Sequence, residues 1–333
     1  MKKGLFLAAG VVIGLALLIG VFYLFPFTDF LALVLNISLP LLGLYLLVSF
    51  AIFLLLAWRW AIILKAHGIT LPKRKILGYR YVGFAVSFVT PGPKVGGEMA
   101  RAALMRRDKV SFPKGFSSVV ADKTIELSSF GMMFFLSLVF ALALLPIPPG
   151  LRATLTVVTV ILFLAVTNGF ILMIRGKDPV MRIFRFLRLD KINFLKKYKQ
   201  ELREFEKNIL AFYGKNKKKF WQAQAISAMA WLFALLEFYL IFRMLGITPT
   251  FVEVFLVYSV VGMIYMIPIP LALGSLEAGQ AAMFTALGLP AAAGAVVAMI
   301  TRGRDLLWTL VGFTLLGYYG IDTYKPKKRT RKE

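Results

Sequence analysis

The sequence predicts an all-α polytopic membrane protein with about six transmembrane helices and two re-entrant helix hairpins arranged as an inverted repeat. Of its 333 residues, 59% are hydrophobic, and several apolar runs reach the length of a membrane-spanning helix. A helix-breaking motif, Pro-x-Pro-x-x-x-Gly, occurs twice, at residues 91–97 and 268–274. The 40 lysines and arginines cluster at the ends of apolar runs, as the positive-inside rule expects.

We treat residues 1–333 as a single membrane domain that contains two repeats, residues 41–145 and 220–322. The first apolar run, 4–25, is longer than the core of a signal peptide and has no small-residue cleavage site after it, so we expect a retained span. The predicted spans are residues 4–25, 41–64, 116–145, 151–174, 220–243 and 290–320.

Each repeat contains a predicted re-entrant pair, at residues 76–107 and 251–287. The arms of these pairs span about 16–24 Å as helix, which is too short for a hydrocarbon core of about 30 Å. Further sequence features recur at matched positions around the two motifs. They are the Gly-Ile-Thr segments at Gly68 and Gly246, and the prolines Pro113 and Pro290.

The distribution of basic residues predicts a multi-pass protein of the cell membrane with both termini in the cytoplasm. Residues 26–40 and 244–252 contain no lysine or arginine, whereas the linker 175–219 and the tail 323–333 are rich in both. The two repeats then run in opposite directions. Inverted repeats with broken helices are a common transporter design, although duplication can also reflect ancestry and packing alone.

The linker 175–219 carries one apolar stripe with a 3-4-3-4-3 spacing. A basic amphipathic helix of this kind is predicted to lie on the anionic cytoplasmic leaflet. The alternative is a coiled-coil contact in a homo-oligomer, since the same pattern serves both. The stripe consists of Leu195, Tyr198, Leu202, Phe205, Ile209 and Phe212.

Composition excludes several kinds of chemistry. The chain has no cysteine, which excludes disulfides and thiolate catalysis. Its one histidine, His67, lies in a basic loop and is expected on the surface, so histidine triads and multi-histidine metal sites are excluded. We therefore expect no cofactor or metal and no enzyme activity. The net charge of +24 does not indicate nucleic-acid binding, because the charges follow the membrane topology.

Charged residues inside the apolar spans are the main candidates for a site, because they cost several kcal/mol unless paired or hydrated. Asp122 and Glu126 lie on the span 116–145, and Arg302 and Asp305 lie on the span 290–320. Their depths match, so we expect the two sets to meet near the middle of the membrane. The alternative is a set of buried ion pairs, such as Glu126 with Arg302, that only hold helices together.

The hairpin tips are the second group of candidates. Prolines should keep the tips extended, glycines should allow close backbone approach, and the helix N-termini near Gly97 and Ser275 could hold an anion such as phosphate. Together with the span charges, the predicted substrate-binding residues are Pro91, Pro93, Gly96, Gly97, Glu98, Arg101, Asp122, Glu126, Pro268, Pro270, Gly274, Ser275, Glu277, Arg302 and Asp305.

Several segments, including PGPKVGGEMARAALM, SSVVADKTIEL and PIPLALGSLEAGQ, resemble the flippase-like transmembrane region of lysylphosphatidylglycerol synthases. The resemblance covers nearly the whole chain and implies a lipid-translocating module. The matching positions are Pro91, Gly97, Glu98, Arg101, Asp122, Glu126, Gly274, Glu277 and Arg302. Only about a dozen residues follow the last span, so we expect no aminoacyl-transfer domain. Leu271, Ala272 and Leu273 stand where the family usually has more glycine.

The leading hypothesis is therefore a flippase for a phospholipid or lipid-linked substrate, whose headgroup binds in a polar cavity between the hairpins. One alternative is a small-solute or ion-coupled transporter with the same architecture. Another is a membrane-embedded enzyme acting on lipid carriers, which the lack of membrane histidines and of a large loop disfavours.

Overall fold

The computed structural model describes residues 38–90, 96–145, 147–175, 199–265, 269 and 272–319. The predicted span 4–25, the four motif prolines, most of the basic linker and the tail 323–333 lie outside these residues. Every regular element in the described part is helical, which confirms the all-α prediction. The helices are α1 Leu39–Ala66, α2 Lys73–Val89, α3 Gly96–Met105, α4 Phe112–Leu144, α5 Pro149–Ile174, α6 Lys199–Lys215, α7 Lys217–Met244, α8 Phe251–Ile264, α9 Ser275–Ala286 and α10 Ala291–Tyr319.

Four of the described helices, α1, α4, α5 and α7, are long and apolar enough to cross a membrane. They correspond to four of the predicted spans within a few residues. The predicted span 290–320 is the 29-residue helix α10, whose apolar sequence is interrupted by Arg302, Arg304 and Asp305. The predicted hairpins are pairs of short helices of 17 and 10 residues (α2, α3) and of 14 and 12 residues (α8, α9). Their re-entrant course stays a prediction.

The two Gly-Ile-Thr segments end the first long helix of each repeat in the same way. After α1, Gly68 has a φ of +63°, and the amide of Ile69 donates to the carbonyl of Leu64 at 2.9 Å. After α7, Gly246 has a φ of +74°, and the amide of Ile247 donates to the carbonyl of Phe242 at 3.0 Å. A glycine in the left-handed region is the common way to stop a helix. Each duplicated segment is therefore a helix cap.

The helix contacts form two matching sets, with α1, α2, α3 and α4 as counterparts of α7, α8, α9 and α10. The counterparts α1 and α7 pack against each other. Helix α2 packs against α10, and in the equivalent contact α8 packs against α4. The short helices pair as α2 with α3 and α8 with α9, and α3 and α9 each pack on the long helix that follows. This pattern is what an internal two-fold arrangement of the two sets requires.

Close backbone approach occurs within the first short pair. A Cβ atom added to Gly97 on α3 would lie 1.9 Å from the carbonyl oxygen of Gly83 on α2. No side chain fits at that distance, so the two helices pack here through glycine backbone. The contact brings α3 against α2 directly beside the charged residues described below.

The apolar stripe of α6 faces protein. Phe205, Ile209 and Phe212 are buried in one hydrophobic cluster with residues of α1, α2 and α4, and the ring of Phe205 packs 5.5 Å from that of Phe116. For these three positions, the expectation of a stripe that faces lipid or another copy is wrong, because α4 and α7 cover it. The side chains of Leu195, Tyr198 and Leu202 lie outside the described residues.

His67 is buried and not on the surface, which corrects the expectation for the one histidine. It is 8% exposed, its Nδ1 lies 2.8 Å from the carbonyl oxygen of Ile63, and its ring stacks on Phe212 with centroids 5.7 Å apart. Burial lowers the pKa of His67, and the nearby lysines Lys114 and Lys219 lower it further, against the raising effect of the Ile63 carbonyl. These effects favour the neutral form of the imidazole.

Candidate functional site

A cavity of about 300 Å³ lies between the two sets of helices and is lined by residues of α1, α2, α3, α4, α7, α8 and α10. Part of its wall is apolar, with Ile52, Phe53, Leu56 and Phe84 on α1 and α2. The rest carries four basic and four acidic side chains. These are Arg80, Arg101, Lys123, Arg304, Glu98, Glu126, Glu237 and Asp305. So many ionisable groups around one cavity in an apolar helix bundle mark it as the candidate site.

Asp122 on α4 is the centre of the charges on the first side of the cavity. Its Oδ1 accepts from Arg59 Nε at 2.8 Å, and its Oδ2 accepts from Arg80 Nη1 at 2.5 Å and from Arg101 Nη2 at 2.9 Å. The three arginines come from α1, α2 and α3, and Asp122 itself is fully buried. One carboxylate thus joins four helices, and its short charge-assisted bonds fix the three guanidinium groups.

Glu126, one turn further along α4, lies at the cavity wall. It accepts from Lys123 Nζ at 2.6 Å and from Arg59 and Arg80 at 3.3 Å each, and its side chain is 37% exposed. Lys123 also lies 3.7 Å from Glu98 Oε1. We call this group the first charge cluster. Its members are Arg59, Arg80, Glu98, Arg101, Asp122, Lys123 and Glu126.

Arg101 is positioned tightly but has hydrogen-bonding capacity left. Its guanidinium carbon lies 3.9 Å from the ring centroid of Trp60, and the residue is 5% exposed. Within the described residues, its Nε finds no hydrogen-bond partner, and neither does Oε2 of Glu98 one turn earlier on α3. Both residues line the cavity. A buried donor and a buried acceptor from successive turns of α3 therefore have no partner in the described residues, which is unusual unless a ligand supplies one.

The second charge cluster consists of Glu237 on α7 and Arg304 and Asp305 on α10. Arg304 Nη1 donates to Glu237 Oε2 at 2.6 Å, and its Nε and Nη2 donate to Asp305 Oδ1 at 3.0 and 2.8 Å. The hydroxyl of Tyr265 on α8 donates to Asp305 Oδ2. Among the described residues, no group of three or more acidic and histidine side chains could hold a metal ion.

Arg302 and Glu277 form a separate ion pair. Arg302 Nε and Nη2 donate to the two carboxylate oxygens of Glu277 at 2.9 Å each, and Nη2 also donates to the carbonyl of Ala272 at 3.0 Å. Neither residue is among those that line the cavity. The pair holds α9 and the turn before it against α10, and Ala272 in that turn has a φ of +50°.

The structure brings together some of the sequence-predicted residues and separates others. Gly97, Glu98, Arg101, Glu126 and Asp305 line the cavity, and Asp122 lies behind its wall. The pairing of Glu126 with Arg302 is wrong, because each binds within its own repeat. Besides Asp122 and Arg302, four further candidates do not line the cavity, and the motif prolines lie outside the described residues. These four are Gly96, Gly274, Ser275 and Glu277.

The two predicted helix N-termini differ from the expected anion cradle. The amide of Gly97 at the start of α3 lies at the cavity wall but donates to Ser87 Oγ at 3.1 Å. Ser275 at the start of α9 is buried, and its hydroxyl donates to the carbonyl of Ala272 at 3.0 Å. The cationic groups that line the first side of the cavity are therefore arginine and lysine side chains and not helix N-termini.

Sequence reasoning missed several residues of the site. Arg59 stands alone in an apolar run between Trp58 and Trp60, and a lone arginine in a span was the signal that could have found it. Arg80 follows the three basic residues at the start of α2, a position typical of a membrane surface, but it lies inside the bundle. It is 8% exposed, and it lies roughly 8 Å further along α2 than Lys75. Tyr265 was missed as well, whereas Glu237 and Arg304 are recognisable as charged residues inside predicted spans but were not among the predicted site residues.

Archaeal membrane proteins share most of the length of this chain. It is 27% identical over 292 residues to "UPF0104 membrane protein PH1989" of Pyrococcus horikoshii, covering 83% of this chain and 84% of that protein. It is 23% identical over 285 residues to a UPF0104 membrane protein of Methanothermobacter thermautotrophicus, covering 82% and 81% of the two chains. It is 24% identical over 276 residues to "UPF0104 membrane protein MJ1595" of Methanocaldococcus jannaschii, covering 80% of each chain.

The family described as the lysylphosphatidylglycerol synthase TM region matches residues 7–312. That range includes every described helix except the end of α10, and it includes both charge clusters. The chain therefore belongs to the lysylphosphatidylglycerol synthase TM region family.

Proposed function

We propose that the protein is a flippase that moves the headgroup of a phospholipid or lipid-linked substrate across the membrane through the cavity between its two repeats. The proposal rests mainly on the cavity of about 300 Å³ with four basic and four acidic side chains at its wall. Each such group costs a few kcal/mol in a membrane-spanning segment. One or two ion pairs would suffice to hold helices together, so the number of charges favours a binding role.

The apolar part of the wall favours a lipid over a water-soluble substrate. Ile52, Phe53, Leu56 and Phe84 line the cavity together with the charged residues. A lipid needs both surfaces at once, since its headgroup requires polar contacts while its acyl chains stay in apolar surroundings. In this proposal, the headgroup occupies the charged part and the chains pass along the apolar side.

The two matching sets of helices support an alternating-access mechanism. The basic residues predict that the sets run in opposite directions, with both termini and the linker in the cytoplasm. Rocking of one set against the other would then open the cavity to each leaflet in turn. The basic linker and tail would contact anionic headgroups at the cytoplasmic surface. The protein moves its substrate without chemical change, so it is not an enzyme in this proposal.

Reconstitution in liposomes tests the proposal. Fluorescent lipids in the inner leaflet become accessible to the membrane-impermeant quencher dithionite only if the protein moves them outward. We expect transport with wild type, and a loss of about tenfold or more, equivalent to ~1.4 kcal/mol, with Arg101→Gln and Glu237→Gln. Lys207→Gln, which removes an exposed charge from α6, is the matched control and should transport normally.

Equal rates for wild type and for both cavity variants would contradict the proposal, provided that all proteins elute as single species and melt at similar temperatures. Uptake of a water-soluble solute without movement of any lipid would instead favour the small-solute transporter.

A further inference from the structure

The two charge clusters at the cavity wall carry opposite excess charge. With all groups ionised, the first charge cluster has four basic residues, Arg59, Arg80, Arg101 and Lys123, against three acidic ones. The second has the two acids Glu237 and Asp305 against Arg304 alone. Among the described residues, none of the ion pairs that these charges form joins one cluster to the other. The cavity thus has a positive side on α2, α3 and α4 and a negative side on α7 and α10.

A purely anionic headgroup would match only one of these sides, and so would a purely cationic one. Either would leave the other side without a counter-charge in surroundings that screen charge poorly. A headgroup with both charges matches both sides, and the attraction at each end orients it. The modest volume of about 300 Å³ also favours a compact group over an oligosaccharide.

The unpaired atoms on α3 identify the acceptor on the positive side. Arg101 Nε is a buried donor with no partner in the described residues, and the rest of the guanidinium is held by Asp122 and Trp60. A phosphate oxygen supplies the acceptor that such a group lacks, and Arg80 and Lys123 at the same wall add charge. Glu98 Oε2, a buried acceptor, could take a hydrogen bond from a protonated phosphate oxygen or a hydroxyl group at the same end of the ligand.

We propose that the substrate headgroup is a compact phosphate–ammonium zwitterion, bound with its phosphate toward Arg101 and its ammonium toward Glu237 and Asp305. This inference rests on the proposed function and names the chemical class of its substrate. On the negative side, the hydroxyl of Tyr265 donates to one oxygen of Asp305, and Glu237 lies at the cavity wall.

Soluble headgroup fragments test the inference on the purified protein in detergent. Isothermal titration calorimetry would compare phosphoethanolamine, inorganic phosphate and ethanolamine. We expect phosphoethanolamine to bind at least about tenfold more tightly than either fragment, which corresponds to ~1.4 kcal/mol. Similar affinities for phosphoethanolamine and phosphate would overturn the inference, and so would tighter binding of ethanolamine.

Two variants test which residues bind the ammonium end of the ligand and which bind its phosphate end. Glu237→Gln should reduce the preference for phosphoethanolamine over phosphate to less than about twofold while the phosphate affinity stays unchanged. Arg101→Gln should weaken both ligands alike. If Glu237→Gln does not fold, Asp305→Asn takes its place, and the comparison of fragments on wild type needs no variant. A Glu237→Gln protein that keeps the full preference would overturn the assignment of the ammonium end.

A transport assay with two lipids tests the headgroup inference separately from the proposed flippase function. Liposomes with fluorescent phosphatidylethanolamine or phosphatidylglycerol should show faster movement of the zwitterionic lipid. Movement of phosphatidylglycerol alone would overturn the inference of a zwitterionic headgroup and leave the flippase proposal in place. Tight binding of phosphoethanolamine without movement of any lipid would overturn the flippase proposal and support the headgroup assignment.

Discussion

Arg302 on α10 binds Glu277 on α9 through two parallel hydrogen bonds of 2.9 Å. The corresponding link in the first repeat joins Arg101 on α3 to Asp122 on α4 at 2.9 Å. The two links have the same structural role, since each ties the second short helix of a pair to the long helix that follows. Their charges are exchanged, with the acid on the short helix in one repeat and on the long helix in the other.

The Arg302–Glu277 link predicts a strong coupling between the two residues. Glu277→Gln and Arg302→Gln should each lower the free energy of unfolding, by up to about 3–5 kcal/mol, because each leaves a largely buried charge without its counter-charge. The double variant should lower the free energy of unfolding by clearly less than the sum of the two single losses. Unfolding by denaturant in mixed micelles would measure the cycle, and simple additivity of the two losses would contradict the link.

Removal of the Asp122 carboxylate should destabilise the protein more than removal of the Glu126 carboxylate. Asp122→Asn leaves three buried arginines without their shared acceptor, so we expect a loss of about 3–5 kcal/mol or failure to fold. Glu126→Gln should cost less, since the Glu126 side chain is 37% exposed and water can replace part of its contacts. Melting temperatures of the two variants in detergent would show the order, and a reversed order would contradict the arrangement of the first charge cluster.

Gly97 should tolerate no side chain. In Gly97→Ala the new Cβ would lie 1.9 Å from the Gly83 carbonyl oxygen, so α3 must move away from α2. We expect a loss of stability of about 1–3 kcal/mol, as for other overpacked sites, together with loss of transport. Gly43→Ala on α1 is the matched control, because a Cβ there meets nothing within 4 Å and alanine favours a helix.

His67 predicts a dependence of stability on pH. Because burial lowers its native pKa, the unfolded chain binds a proton first as the pH falls. The stabilisation is fully present above the unfolded pKa of about 6.5 and is lost as the pH falls from there through the lower native pKa. Between pH 7.5 and 5.5, the melting temperature of wild type should fall more than that of His67→Asn. Parallel curves would show that His67 does not titrate in this range.

The predicted orientation can be tested with single cysteines, because the natural chain has none. We expect Lys207→Cys to react with a membrane-impermeant maleimide only in inside-out vesicles, and Arg152→Cys only in right-side-out vesicles. Both side chains are exposed, so access is not limited by packing. Labelling of both cysteines from the same side would contradict the inverted repeat.

The spacing of helix breakers made the fold predictable from sequence. Pro113 and Pro290 lie at the starts of α4 and α10, and Gly68 and Gly246 end α1 and α7, so the elements could be placed within a few residues. These signals are local, because each depends on the conformation of one or two residues. Local signals of this kind do not depend on which helices meet.

The site was only partly predictable, because it depends on which way each helix faces. Arg302 and Arg304 are two residues apart, which turns them roughly 200° around α10. One binds Glu277 away from the cavity, and the other binds Glu237 at its wall. Likewise, the burial of His67 requires Phe212 on a helix far along the chain. Which side of a helix faces the cavity depends on the helices packed against it, and a single sequence does not identify them.

The sharing of Asp122 by three arginines has a consequence for biogenesis. Helices α1 and α2 contain Arg59 and Arg80 but no acidic residue of their own. The carboxylate that neutralises Arg59 follows 63 residues later, on α4. A lone arginine in a spanning helix is unfavourable in lipid by a few kcal/mol. The charges of Arg59 and Arg80 are therefore neutralised only after α4 has been synthesised and has packed against α1 and α2.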